Sequence, residues 1–506
     1  MPGQTAFVSV PRPSVPARLA VRILCLLGLA LMPATARTLY AGPSGQSAAA
    51  GTASAPLSLD AGLKALAAGD TLLLLAGTYA YDVQLTLPKD QSGAAGKPIC
   101  VFAAPGAGPA LDFSGQPYAS EGNPRGLQID GSYWHLRGLD VFGSADNGIY
   151  VTGHHNVVEN CVTRKNRDTG LQIGRRADAP REEWPSYNLI LNCESYDNYD
   201  LAPGSGENAD GFACKLTSGE GNAFRGCVAH HNIDDGWDLY TKTDTGPIGP
   251  VALDQCVAYA NGTLTDGTSN DNGDRNGFKL GGSDIAVAHL VARCVAFGNG
   301  KNGFTWNSNP GATRLVNCLA YDNAEGNYNF GKNGTPTQAV FTNNVSFWTR
   351  TAAASDKTLG TDYQGSNCWW DKSKGSLSAK SLGVSASDFA SSLATVKVVR
   401  NAASGAPDLS VFRLATGSRL RDAGAAPAGE LPFDPSKYYS GAPDLGAVEG
   451  EGTTGIGSGN RRGHPARARA EPGFGDADGY GALWSVGAAS GRRDARGRSL
   501  RSAPAR

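Results

Sequence analysis

The stretch NIDDGWDLYTK, residues 232–242, sets three carboxylates, Asp234, Asp235 and Asp238, within five residues. Groups so close cannot all stay ionised without a positive partner. Upstream, NADGF holds Asp210 directly before a glycine, the place Asp235 takes before Gly236. Downstream, GFKL carries Lys279 at the place of Asp238 in GWDL. Alternation along a strand sends successive side chains to opposite faces. Trp237 and Leu239 therefore point inward and Asp238 outward; Phe278 and Leu280 point inward and Lys279 outward. In neighbouring strands Asp238 and Lys279 would stand about 5 Å apart in one column. Asp210, Asp234, Asp235 and Asp238 then form an exposed, irregular cluster of hard oxygens. Such a cluster suits Ca²⁺, which takes about six to eight oxygen ligands. Turn chemistry explains any single Asp-Gly pair, but not Asp238 in mid-strand. Lys279 keeps two readings, a reactive amine or a surface lysine paired with Asp238.

Strands that bring such residues together must be stacked, and the sequence repeats accordingly. Six of the ten cysteines share a context, in ENCVTRKN, LNCESYDN, RGCVAHHN, DQCVAYAN, ARCVAFGN and VNCLAYDN. Asparagine follows five residues after each, at Asn166, Asn198, Asn232, Asn261, Asn299 and Asn323. Downstream a glycine opens a short strand, as in TGLQI, DGFAC, DGWDL, NGFKL and NGFTW. A unit recurring every 24 to 38 residues cannot bury its own apolar side chains, so copies must stack. Two strands per unit with tight turns predict an all-β fold, a right-handed parallel β-helix. The asparagines are placed at left-handed turn positions, able to hydrogen-bond from coil to coil. Cysteines in an exported chain can form disulfides. The register instead stacks Cys161, Cys193, Cys227, Cys256, Cys294 and Cys318 inside, as small hydrophobes.

The ends differ. Arg18 and Arg22 precede the apolar run ILCLLGLALM and a small-residue ATA site, which reads as an export signal over 1–36; an uncleaved anchor is the alternative. Residues 37–451 are the predicted solenoid domain, opened by a strand, a short N-terminal capping helix and a strand. SGAPDLGAVEG, 440–450, reads as its last strand. Residues 452–506, rich in Arg, Gly and Ala, hold too little apolar content to fold. The first 36 residues carry three arginines and no acid, and residues 451–506 ten arginines against five acids. The remainder holds 32 basic against 41 acidic residues, which excludes nucleic acid as a partner on electrostatic grounds. Two insertions, YDLAPGSGENA and GTLTDGTSNDNGDR, flank the acidic patch, where loops on a rigid scaffold build clefts. Arg164, Lys165, Arg167, Arg175, Arg176, Lys242 and Arg275 read as solvated charge or as carboxylate binders. Tyr150 and Gln172 share the outward column.

ENADGFACKLTSGEGNAFRGCVAHHNIDDGWDLYTK, followed by RNGFKLGG, resembles polysaccharide lyase family nine, the pectate lyases and their relatives. The likeness covers residues 37–451 and is sharpest over 207–282. It implies that Asp210, Asp234, Asp235 and Asp238 hold a catalytic calcium and that Lys279 is the base. The implied reaction is β-elimination by a secreted pectate lyase, giving 4,5-unsaturated oligogalacturonides from polygalacturonate. Lys279 would have to be neutral, against an ordinary pKa of about 10.4, and no leaving-group acid is evident. The expected partner is an acidic polysaccharide, with no nucleic acid, no membrane once the signal is removed, and a monomeric chain. Alternatives are a lyase on rhamnogalacturonan or another uronate polymer, a pectin-hydrolysing glycosidase using Asp234 and Asp235, and a non-catalytic glycan-binding β-helix. The Gly-His-Gly signature of polygalacturonases is absent.

Overall fold

A computed structural model of the chain describes residues 35–450 apart from 120–121, 201–204, 333–336, 350–355, 372–376, 394–395 and 402–403. The expected signal (bar residues 35–36) and the tail over 452–506 lie outside the described residues. By its contacts the chain divides into Met1–Arg37 and Thr38–Arg506, and everything below concerns the second unit.

The chain winds into a parallel β-helix. Among the described residues, three parallel sheets of 12, 10 and 12 strands run along it, each strand pairing with its counterparts in neighbouring coils. The expectation of two strands per coil is corrected to three. The cause lies just before each repeat cysteine: Asn160, Asn192, Gly226, Gln255, Arg293 and Asn317 have φ between 51° and 61°. That left-handed residue bends what reads as one apolar run. Val157–Glu159 and Val162–Arg164 thus enter different sheets.

The interior is built in columns. All six repeat cysteines are buried, and none is in a disulfide. The asparagine column forms a ladder from Asn166 to Asn327, each amide nitrogen donating to the next side-chain oxygen at 2.8–2.9 Å. The turn expectation for these residues is also corrected. The left-handed position belongs to the residue before each ladder asparagine, Lys165, Asp197, His231, Ala260, Gly298 and Asp322. The asparagine itself turns inward and spends its amide on the stack. Phe212, Trp237, Phe278 and Phe304 stack beside the ladder with ring centroids 4.7–5.0 Å apart. Gly236 permits this approach, since a Cβ there would lie 2.6 Å from the Gly277 carbonyl oxygen.

The N-terminal cap forms as expected. Ser58 caps the helix Leu59–Lys64, whose Leu59 and Leu63 enter the core beside Leu72 and Leu74. At the other end no strand forms over 440–450. Described residues between 379 and 448 instead pack on the outer face of the third sheet. There Phe389, Leu393, Phe412 and Leu420 cover the outward side chains Val257, Val295, Leu319 and Phe347. Among the described residues no helix is long and apolar enough to cross a membrane.

Candidate active site

The site stands on three consecutive strands of the ten-stranded sheet. Phe212–Cys214 pairs with Trp237–Asp238, which pairs with Phe278–Lys279. Phe212, Trp237 and Phe278 fill one inward column, while Ala213, Asp238 and Lys279 fill the adjacent outward one. Asp210 and Asp235 stack just before these strands, the Asp235 N–H donating to Asp210 Oδ1 at 3.3 Å. All five residues singled out by the sequence are thus brought together.

Their environment is not the exposed patch expected. Asp210, Asp234, Asp235 and Asp238 are 0–4 % exposed and Lys279 is 7 % exposed. The end of the second insertion folds over them, the Asp274 and Arg275 N–H groups donating to Asp234 Oδ1 at 2.5 and 3.3 Å. Two lysines close the rest. Lys215 Nζ lies 2.7 Å from Asp210 Oδ2 and 3.2 Å from Asp238 Oδ2. Lys279 Nζ lies 3.2 Å from Asp235 Oδ2, 3.6 Å from Asp238 Oδ2 and 3.0 Å from Asp274 Oδ2.

A common pattern runs through the four aspartates. At least one oxygen of each is fixed by the chain: Asp210 Oδ2 by Lys215 and Thr169 and its Oδ1 by the Asp235 N–H, Asp234 Oδ1 by backbone N–H groups, Asp235 Oδ1 by Asn276, and Asp238 Oδ2 by Lys215. Of the others, Asp235 Oδ2 and Asp238 Oδ1 are buried and accept no hydrogen bond, the Lys279 contact to Asp235 being an ion pair without hydrogen-bond alignment. Oxygens of Asp210, Asp234 and Asp235 gather within 4.8 Å of one another; Asp238 borders that trio from the neighbouring column. Oriented, unsatisfied oxygens with no nitrogen or sulfur donor fit a hard cation.

Electrostatics record the same crowding. Burial, with neighbouring carboxylates adding to it, pushes Asp210 and Asp234 up to about 8, and burial and Asp234 push Asp235 well upward. Burial opposes the charge on Lys279, but Asp238, Asp235, Asp234 and Asp274 outweigh it and hold the amine protonated.

The Pel9A-like, right-handed β-helix region matches residues 39–344. Pectate lyase L of Paenibacillus polymyxa (strain SC2) is 46 % identical over 395 residues, covering 78 % of this chain and 84 % of that protein. The crystal structure of pectate lyase Pel9A superposes with a TM-score of 0.67 at 35 % identity, covering 82 % of this chain and 96 % of that one. The chain belongs to polysaccharide lyase family nine. A solved rhamnogalacturonan lyase is also similar, with a TM-score of 0.61 at 25 % identity over 75 % of this chain and 97 % of that one. This family-nine chain is accordingly a polysaccharide lyase on a right-handed β-helix, and the hydrolase and non-catalytic readings fall away.

Two residues packed against this site escaped the sequence reading. Lys215 stands two residues after Ala213, on the same outward face, so continuing the alternation of GFACKL would have found it. Asp274, within the NDNGDR insertion, ties Lys279 to Lys301, whose Nζ is 3.0 Å away; no spacing marks it. The two insertions do meet over the site, the Asn270 and Asn272 amides donating to the Ser205 carbonyl. The basic residues upstream are occupied elsewhere, Arg164 with Asp140, Arg175 with Asp178 and Arg176 with Glu183. Tyr150 and Gln172 share the outward column but are buried. The open cleft lies on the other side of Lys279.

Proposed function

We propose that this chain is a secreted, calcium-dependent pectate lyase that cleaves polygalacturonate by β-elimination. In this reading Asp210, Asp234, Asp235 and Asp238 hold the ion and Lys279 takes the C5 proton. The observation that carries it is the convergence, from three consecutive coils, of four aspartates that each keep one oxygen anchored, with an amine against them. The names borne by the relatives support pectate as the substrate, and the apolar N-terminal run supports export.

Bound calcium would supply a partner for the C6 carboxylate and offset the charge growing on it as the C5 proton leaves. The remaining work falls to the chain. Lys279 must be neutral to receive a proton on Nζ, and the carboxylates that keep it charged are the same ones proposed to bind the ion. Compensating those charges releases the amine, so base and metal site are coupled. Lys215, fixed on Asp210 and Asp238, keeps those carboxylates oriented. Loss of the C4 oxygen then leaves a 4,5-unsaturated sugar end.

The test is polygalacturonate digestion with and without a chelator, followed by ultraviolet absorbance and product length. Absorbing ends that appear only with calcium are expected. Chain shortening that survives chelation and yields no absorbance would overturn the reading. The likeness to a rhamnogalacturonan lyase favours a second substrate, and the ratio of rates on the two polymers decides between them.

A further inference from the structure

A cleft of about 700 Å³ opens beside the site, with Asp274 and Asn276 in its near wall. Asp274 touches Lys279 and Asn276 holds Asp235, so the cleft begins where the proposed chemistry takes place. From there it extends toward the C-terminal coils. The outward column runs Lys279, Thr305, Asn329, Lys357, one residue per coil. Three more lysines line the cleft, Lys301, Lys332 and Lys357, and they belong to three successive coils. Lys301 immediately precedes the strand Asn302–Thr305, Lys332 follows Gly326–Phe330, and Lys357 opens Lys357–Thr358. Lys332 and Lys357 are exposed, and among the described residues no carboxylate lies within ion-pair distance of either. Trp306 adds an aromatic surface on the same wall.

Parallel strands stack about 4.8 Å apart, close to the advance of one sugar in an extended uronan. The lysines advance one coil at a time but not in one column, Lys301 standing four residues before the Thr305 position and Lys332 three residues after the Asn329 position. Long side chains from three coils converging on one cleft suit carboxylates carried on every sugar, and the aromatic wall suits the apolar face of a pyranose. The opposite side of the site differs. Asp146 and Asp168 stand there, both pushed upward mainly by burial, Asp168 to about 6, with Gln172 and Asn147 between them.

We propose that the polymer lies along the coil stack on the C-terminal side of Lys279, its free carboxylates meeting Lys301, Lys332 and Lys357, one lysine per coil. This rests on the reading of the site as a uronate lyase and adds the direction of the bound chain and a requirement for unesterified uronates beyond the cleaved bond.

The experiment uses the full chain with Lys279→Ala, so that ligand is not consumed, and measures binding of hexagalacturonate and of its methyl ester by calorimetry in calcium buffer. Adding Lys332→Ala and Lys357→Ala should weaken hexagalacturonate binding about three- to tenfold, the scale of two exposed ion pairs. Lys332→Glu with Lys357→Glu should weaken it further, and salt well above physiological should shrink both differences. Lys64→Ala, on the capping helix, should change nothing. Equal affinity for the acid and its methyl ester, unchanged affinity in the double variants, or no hexagalacturonate binding at all would overturn the proposal. Failure of the lyase reading shows elsewhere, as the absence of unsaturated product from the unmutated chain, while the calorimetry still scores the lysines.

Discussion

The asparagine ladder and the aspartate nest sit a few residues apart in the same coils, and they treat polar groups in opposite ways. In the ladder Asn232 donates to Asn261 at 2.9 Å and accepts from Asn198 at 2.8 Å, so each amide is satisfied by its copy in the next coil. In the nest, Asp235 Oδ2 and Asp238 Oδ1 are buried and accept no hydrogen bond, and Asp210 and Asp234 are pushed up to about 8, chiefly by burial. Stacking identical amides pairs a donor with an acceptor at every step. Stacking carboxylates pairs an acceptor with an acceptor, which costs stability unless a cation enters. The repeat therefore stabilises the protein where its residues are alike, and builds a site where one column changes residue type.

The sharpest way to separate the two regions is at Lys279. Replacing it by alanine should lower turnover about 10²- to 10⁴-fold, the usual contribution of a positioned base, while calcium binding is kept or tightened, because the ammonium competes with the ion for Asp235 and Asp238. Product absorbance and calcium calorimetry on the same preparation check this. Calcium binding lost together with turnover would make Lys279 part of the metal site instead.

The ladder should fail in the other manner. Asn232→Ala removes one partner each from the Asn198 and Asn261 side chains and from the Ser195 carbonyl, all inside the solenoid. Asn261 keeps the backbone N–H of residue 232, and Asn198 keeps the Ser195 hydroxyl. At about 1–3 kcal/mol for each unsatisfied buried group, partly relaxed, a loss of about 2–4 kcal/mol is expected in denaturant unfolding. Turnover per folded molecule should be retained.

How much of this contrast is legible beforehand follows from what alternation can see. The pairing of Asp238 with Lys279 could be read because both lie between inward apolar residues, and a strand has only two faces. The third sheet could not, because a single left-handed residue such as Asn192 divides an apolar run without altering its composition. Burial of the nest was also out of reach, since it depends on where Lys215 and the 262–275 insertion fold back. The covering of the third sheet left a trace, however. Val257 and Val295, with Tyr259 and Phe297, make a face too apolar to remain in water, and the segment over Phe389 and Phe412 packs there.

Asp234→Asn tests the cost of the nest directly. The amide oxygen can still accept from the Asp274 and Arg275 N–H groups, so the loop should stay in place. Losing even an outer partner of a metal site costs about 10- to 100-fold in affinity, and losing a proposed ligand should cost at least that. Stability should move the opposite way without metal. A carboxyl held at about 8 in the folded chain but near its ordinary value when unfolded keeps its proton longer in the folded state. The unfolded state then binds fewer protons between these values, so stability of the chelated protein falls as pH rises from about 4 to about 8. Melting curves in chelator across that window should slope downward, less steeply for Asp234→Asn, and saturating calcium should remove the slope. A slope unchanged by the substitution would place the strain elsewhere.

The smallest effect belongs to the cysteine column, the most uniform part of the interior. Cys256 is fully buried, and its thiol lies 3.5 Å from the Phe224 and Asp254 carbonyl oxygens, contacts of marginal strength. Its burial raises the thiol well above the ordinary value, which disfavours the reactive thiolate. Cys256→Ala should therefore cost about 1 kcal/mol, the transfer and packing of one small group, and a reducing agent should leave the melting temperature unchanged. A drop of several degrees on reduction would mean that neighbouring coils are cross-linked. The column would then be a covalent staple, and the difference between ladder and nest would no longer rest on hydrogen bonding and charge alone.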